Sequence, residues 1–372
     1  MHISIIIVHH SQNFGGAERN LLSIMEQLKK WNIPCYFVGK NPRGQNYENF
    51  KKYSTEIILT RFPEKWKIKT WSAYFSFKNI INRLIKKETG RTIILAGDVY
   101  TFWSCQLFYK KATVYCLWQN SFDFKQTAHV LKRKYLNYVS VKNTKLVASE
   151  SLIKKIKKEA HRYGIQYKTL NPCLREEFFE KKFSKEDRRR KLGWEKDERI
   201  AIVVARICPE KGQFWLAKEF VKNKIISEKW KLIFVGHKLC NEEYSRIESL
   251  QHPHIFLLNQ QNNIADYGKA ADLIICPGWA SESFGMAQVE ACICQTPILL
   301  TKVGVIDQLY SSEYKGLIPY NDKEKIISLW EYYTKNEEAL KKLKDSLPYK
   351  EFYKKFCLEK WQEDLKAILT DA

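Results

Sequence analysis

No stretch of the sequence approaches the ~18 consecutive apolar residues that a membrane-spanning helix needs. Its opening segment, Met1-His2-Ile3-Ser4-Ile5-Ile6-Ile7-Val8, has no basic flank and runs directly into His9-His10-Ser11-Gln12. It reads as a first strand rather than a secretory signal, which predicts a cytosolic protein. The 10 cysteines include no C-x-x-C pair, the closest two being Cys292 and Cys294. That spacing argues against a zinc ribbon or a dithiol. Cys116, Cys208 and Cys276 lie in or beside apolar runs and read as small reduced hydrophobes. Also missing are the G-x-G-x-x-G dinucleotide fingerprint, the GK[ST] of a P-loop and any D-x-D that would hold a divalent cation. No repeat of 20–50 residues occurs, so a solenoid is excluded. Acidic residues are scarce, 41 against 63 Lys and Arg, for a formal net charge of +22.

That imbalance is local. Residues 1–180 carry 31 basic and 13 acidic side chains, whereas residues 181–372 carry 32 and 28. A basic field of this kind attracts phosphorylated ligands, nucleic acid or an anionic membrane surface. The 372 residues are 45% apolar and 14% aromatic, enough for two well-buried domains. Short apolar runs at 3–8, 35–38, 56–59, 92–96, 113–118, 145–148 and 166–170 read as strands. Helical spacing fills 17–30, 71–87, 131–138 and 152–161 between them. After the charged stretch 183–191 the alternation restarts. Strands are predicted at 199–205, 231–235, 254–258, 273–276, 297–300 and 316–318, and helices at 209–224, 242–249, 264–270, 287–294 and 323–333. This pattern predicts α/β architecture with two doubly wound, Rossmann-like domains. The expected division is 1–172, a linker at 173–190 marked by Pro172 and Arg188-Arg189-Arg190, a second domain at 191–346, and a tail helix at 347–372 crossing back to the first domain.

In open parallel sheets, ligands bind beyond the carboxyl ends of the strands. Four loops in such positions carry chemistry. Asn13-Phe14-Gly15-Gly16-Ala17-Glu18-Arg19 follows the first strand and opens a helix. Paired glycines and free helix-start amides suit a phosphate, and equally suit a tight strand-to-helix turn. Arg206 and Lys211 follow the first strand of the second domain. They form either a diphosphate grip, fork plus point charge, or two solvated bases in a basic chain. Glu282, Phe284-Gly285-Met286 and Glu290 follow Cys276-Pro277-Gly278-Trp279. Glu290 has the chemistry to accept two hydrogen bonds from a ribose diol, and Glu282 to meet sugar hydroxyls. The plain alternative is a helix capped by Ser283 with two exposed acids. Gln119 and Asn120 end another strand and suit a sugar, as do many polar loop residues.

Arg206 with Lys211, Glu282-x7-Glu290 and Gly15-Gly16-Ala17-Glu18-Arg19 together resemble the glycosyl transferases group 1 (glycosyltransferase family 4) pattern. Ala270-Ala271-Asp272-Leu273 and Thr296-Pro297-Ile298-Leu299 strengthen the likeness. The resemblance implies the glycosyltransferase-B fold, two domains facing across a cleft, and a retaining transfer that needs neither metal nor other cofactor. It implies that Arg206 and Lys211 bind the donor diphosphate, Glu290 the nucleotide ribose and Glu282 the sugar near the reacting carbon. Backbone of Phe284, Gly285 and Met286 would touch sugar and phosphate, and Gly15-Gly16 the diphosphate. Two departures stand out. Gln119 occupies a position where many relatives carry histidine, and His237-Lys238-Leu239-Cys240 replaces a glycine-rich turn.

Arg61–Lys87 carries eight basic residues and one acid, Glu64, interleaved with Trp66, Trp71, Tyr74, Phe75 and Phe77. A basic aromatic amphipathic helix reads as a surface for anionic lipid, or as a core helix with a solvated face. Lys154-Lys155-Ile156-Lys157-Lys158 adds to the charge. The expected partners are a nucleotide sugar, a glycan or lipid-linked acceptor and an anionic membrane, with the protein on the inner face of the cytoplasmic membrane. The acceptor class expected is bacterial surface polysaccharide or lipopolysaccharide. Two rivals have less support. A sugar-nucleotide epimerase of the same fold needs acid and base residues around the sugar, which are not evident. A nucleic-acid binder leaves Glu282 and Glu290 unexplained.

Overall fold

The computed structural model describes residues 3–10, 16–40, 45–60, 71–97, 99–118, 145–162, 164–279 and 284–371. The chain forms two compact units. The first is Met1–Cys173 with Glu359–Ala372, the second Leu174–Leu358.

Among its described residues the first unit holds seven strands: β1 (Ile3–His9), β2 (Cys35–Gly39), β3 (Glu56–Leu59), β4 (Arg91–Ala96), β5 (Thr113–Trp118), β6 (Lys145–Ala148) and β7 (Gln166–Thr169). They form one sheet in the order β3-β2-β1-β4-β5-β6-β7, every pair parallel. Parallel neighbours need crossovers that cover both faces, so the central strands are buried on both sides. Ile5, Ile6, Ile7 and Val8 are all 0% exposed. The helix Trp71–Lys87 sends Phe77, Ile81 and Leu84 into the core. Its apolar stripe is therefore occupied by the protein core, and among its described large apolar residues only Phe75, 49% exposed, faces solvent.

The second unit holds β8 (Arg199–Val204), β9 (Trp230–Val235), β10 (Ile255–Leu258), β11 (Leu273–Cys276), β12 (Ile298–Lys302) and β13 (Leu317–Pro319). The order is β10-β9-β8-β11-β12-β13, again all parallel. The α/β, doubly wound architecture read from the alternation is the one observed.

Three local differences have clear causes. The helix expected over 209–224 is a 3-10 turn, Pro209–Lys211, and then a helix, Gln213–Lys222. Between them Gly212 takes φ +73°, a left-handed conformation that no continuous helix allows. The charged stretch at 183–191 is not bare linker. Ser184 and Asp187 make a reciprocal capping box for a helix, Lys185–Leu192, that Gly193 closes. The tail is two helices rather than one. Tyr349–Phe356 packs in the second unit, where Phe356 meets Phe284 edge-on. Leu358–Thr370 lies almost wholly in the first, burying Trp361, Leu365, Ile368 and Leu369. There Gln362 donates to Gln27 at 2.8 Å and Lys168 pairs with Asp371 at 2.5 Å.

Candidate active site

In the second sheet the chain leaves β8 for β9 and β10, then returns to lay β11 on the other side of β8. The carboxyl ends of β8 and β11 therefore flank the topological switch point, where open α/β sheets bind ligands. Arg206 lies two residues beyond β8 with its side chain exposed. Lys211 closes the 3-10 turn and is half-buried. The backbone around them is tightly held. Gln213, 1% exposed, donates from Nε2 to the Arg206 carbonyl at 2.8 Å. Ile207 N–H donates to the His237 carbonyl at 2.9 Å, and Cys240 N–H to the Ile207 carbonyl at 3.0 Å. These bonds tie the loop after β9 to the loop after β8.

The loop after β11 is tied on from the other side. Trp279 N–H donates to the Glu210 carbonyl at 3.0 Å. A Cβ on Gly212 would stand 2.8 Å from the Pro277 carbonyl oxygen and 3.0 Å from the Trp279 ring. Only a glycine supplies both that contact and the positive φ. The Thr301 hydroxyl donates to the carbonyls of Gly278 and Cys276. The Lys323 ammonium sits over the rings of Trp215 and Trp279, 5.0 and 5.4 Å from their centroids, adding a cation–π clasp.

Burial pushes the Cys208 thiol up to about 11, so it stays protonated. Glu210 is held below the usual carboxyl range by its own backbone N–H and by the Cys208 thiol. The turn thus carries two cations and one ionised carboxylate.

Beyond the loop, Gly285 (φ +84°) is the N-cap of the helix Met286–Ile293, with no side-chain cap. Ser283, the cap that the plain reading expects, lies outside the described residues. Phe284 is buried, its ring in the core against Phe356, so a ligand would meet only its backbone. Met286 is half-buried. Glu290 lies in the second turn of this helix and is 7% exposed, far from the exposed acid that the plain reading expects. Gly16 opens the helix Gly16–Lys30 of the first unit, with no atom of the described residues within 4 Å of where its Cβ would be. Gly15, Gln119, Asn120 and Glu282 lie outside the described residues, as does 61–70 of the basic stretch. Sequence reasoning gave no role to Gln213, to the Gly212 contact or to a buried pair, His9 and Glu18, in the first unit.

Residues 184–347 match the profile of the family described as glycosyl transferases group 1. The likeness to the glycosyl transferases group 1 thus lies in the second unit. An uncharacterized glycosyltransferase of Methanocaldococcus jannaschii is 32% identical over 184 residues, 48% of this chain and 49% of that protein. TuaC of Bacillus subtilis, named for teichuronic acid biosynthesis, is 30% identical over 136 residues, 36% of this chain and 33% of TuaC. The matched stretches thus span half or less of these curated relatives. Among solved structures, Anabaena HepE in complex with UDP and glucose superposes with a TM-score of 0.75 at 15% identity, covering 100% of both chains. WaaG, a glycosyltransferase involved in lipopolysaccharide biosynthesis, gives 0.66 at 14% identity over 99% of this chain and 100% of its own. At these identities the likeness shows the fold, the two-domain glycosyltransferase-B fold. Among the described residues no helix is long and apolar enough to cross a membrane.

Proposed function

We propose that the protein moves a sugar from a nucleoside-diphosphate sugar to a hydroxyl of a glycan or lipid-linked acceptor, in the synthesis of a bacterial surface polysaccharide. The observation that carries this reading is the packing of the Pro277–Trp279 segment onto the Glu210–Gly212 turn. It brings the loop bearing Arg206 and Lys211 beside the loop that leads to Gly285 and Glu290. In this reading Arg206 and Lys211 hold the diphosphate, and charge grows there as the anomeric C–O bond breaks. Fixed cations and helix-start amides then stabilise the transition state more than the ground state. The departing phosphate oxygen takes the acceptor proton. Attack therefore comes from the leaving-group face, and anomeric configuration is retained without a metal. The family resemblance would assign Gly15 and Gly16 to the diphosphate, Glu282 to the sugar, Gln119 and Asn120 to the sugar or acceptor, and Glu290 to the ribose.

Binding of UDP by HepE makes uracil the first base to test. A thermal-shift screen of UDP-, GDP- and ADP-sugars is expected to pick out one base. At a hundredfold excess over Kd the gain is about 2.7 kcal/mol. Glu290→Ala should remove most of that gain. No shift with any nucleotide would overturn the reading.

The acceptor side rests on charge. Lys78, Lys86, Lys154, Lys155, Lys157, Lys158 and Arg162 are exposed. They sit on two helices, Trp71–Lys87 and Glu150–Arg162, that pack into the same core. With the apolar stripe of the first helix already buried, attraction to an anionic inner leaflet would be electrostatic, about 1 kcal/mol per basic residue near the surface. Vesicles containing phosphatidylserine should therefore retain the protein at low salt and release it at high salt. Equal recovery with neutral vesicles would rule this partner out.

A further inference from the structure

Gln213 stands at the first position of the helix Gln213–Lys222, directly after the left-handed Gly212, and is 1% exposed. Only one end of its amide is used. Nε2 donates to the Arg206 carbonyl at 2.8 Å, whereas Oε1 is buried and finds no hydrogen-bond partner among the described residues. A buried acceptor left unpaired costs stability, and an apolar side chain of similar size would avoid that cost. Packing alone therefore does not account for a glutamine here. What the amide holds is a single carbonyl, that of Arg206.

The peptide group that follows Arg206 is gripped at both ends. Its N–H, on Ile207, donates to the His237 carbonyl at 2.9 Å, and its C=O takes the Gln213 amide. On the other side of Arg206, the Ala205 N–H donates to the Val235 carbonyl at 3.1 Å, and a Cβ on Gly236 would overlap the Ala205 carbonyl oxygen. The Cys208 thiol is 3.6 Å from the Arg206 carbonyl oxygen, but its one proton is also drawn to Glu210. Gln213 is itself anchored. Glu243, 4% exposed on the helix Asn241–Glu248, accepts from the neighbouring Phe214 N–H at 3.2 Å. These contacts fix the Cα–Cβ direction of Arg206 while its side chain stays exposed. A long solvated side chain loses rotamer freedom when it grips an anion, and a root already held in the productive direction lessens that loss.

We infer that Gln213 is a positioning residue whose buried amide aims the Arg206 guanidinium at the diphosphate. The inference rests on the glycosyltransferase reading given above, in which Arg206 holds that group, and every residue it uses lies in the second unit. Gln213 touches no ligand and acts through Arg206 alone. Once Arg206 is gone the amide has nothing to aim, so the effects of the two residues should not add. An amide that matters only for folding would lower Tm, and any effect on binding would be the same with or without Arg206.

The test is calorimetric binding of UDP, GDP and ADP to the full chain, with Tm measured alongside. A nucleoside diphosphate carries the charge of the departed leaving group, so the grip is read without an acceptor. Gln213→Met keeps the length of the side chain and removes the donor. It is expected to weaken whichever nucleotide binds by about tenfold, the scale of one hydrogen bond to a charged group, with Tm close to that of wild type. In the Arg206→Ala background the same substitution should change affinity by less than about twofold. Gln213→Leu removes the same donor and reads the same effect should Gln213→Met not fold. Unchanged affinity in Gln213→Met, or an equal loss with and without Arg206, would overturn the positioning role. Loss of the fold in both Gln213 variants would make the amide a structural group and overturn it as well. If wild type binds none of the three nucleotides, the glycosyltransferase reading itself fails and takes this inference with it.

Discussion

Arg206→Ala is expected to reduce turnover of the sugar nucleotide by about 10²–10³-fold, the loss seen when one preorganised donor to developing charge is removed. Tm should move little, because exposed side chains away from packing change stability by about 0.5 kcal/mol or less. The structure separates the two effects. The Arg206 side chain is exposed, and among the described residues its guanidinium has no hydrogen-bond partner. Its backbone, by contrast, is fixed by Gln213 and by the neighbouring bonds of Ile207. Truncation thus removes a charge from a loop that keeps its shape. Arg206→Lys should recover only part of the rate, since an ammonium restores charge without the two-pronged fork. Turnover within about threefold of wild type in Arg206→Ala would remove Arg206 from the transition state.

The strands were legible because parallel strands covered on both faces read as unbroken apolar runs. Ile3–Val8 and Leu273–Cys276 show this plainly. The short helix Val99–Cys105 was not, since Val-Tyr-Thr-Phe-Trp-Ser-Cys has no helical periodicity and is helical through its tertiary contacts. In the helix Trp71–Lys87 the amphipathic pattern was clear, but a hydrophobic stripe does not say what covers it. Phe77, Ile81 and Leu84 are covered by the protein's own sheet.

At the candidate site, the strand end located Arg206 and Lys211, but the left-handed Gly212 between turn and helix left no mark beyond a glycine in a helical pattern. Its requirement comes from Pro277 and Trp279, 65 residues and more away in sequence, which no local reading contains. His9 and Glu18 were hidden for the same reason. The pair declares itself only in the 3.0 Å contact between its two side chains.

The basic run Arg188-Arg189-Arg190 is the sharpest case, because a triplet of arginines reads as solvent-exposed linker, yet Arg188 and Arg189 are 2% and 4% exposed. Arg188 pairs with Asp266, which Lys191 also holds at 2.7 Å. Arg189 donates to the carbonyls of Ala270, Lys196 and Glu198 and to Asp272, fastening the helix Lys185–Leu192 to the helix Ile264–Ala270. Arg188→Ala is therefore expected to destabilise the second unit by about 3 kcal/mol, the lower end of the cost of breaking a buried ion pair by removing one partner. Lys191 still holds Asp266 at 2.7 Å and, with its own side chain 62% exposed, makes up for part of the loss. The double variant Arg188→Met/Asp266→Leu should recover most of the loss, since an apolar pair of similar volume removes both desolvation penalties. The effect also has a pH signature. Burial alone would raise the Asp266 carboxyl, but the Lys191 and Arg188 bonds and charges outweigh it and hold it below its usual value. A depressed folded value means the carboxylate stabilises the fold above about pH 4, and that contribution is lost as pH falls through the folded value. In urea melts, the gap between wild type and the double variant should thus stay constant from pH 6 to 8 and change only in acid. An Arg188→Ala protein as stable as wild type at pH 7 would show that the buried pair holds nothing together.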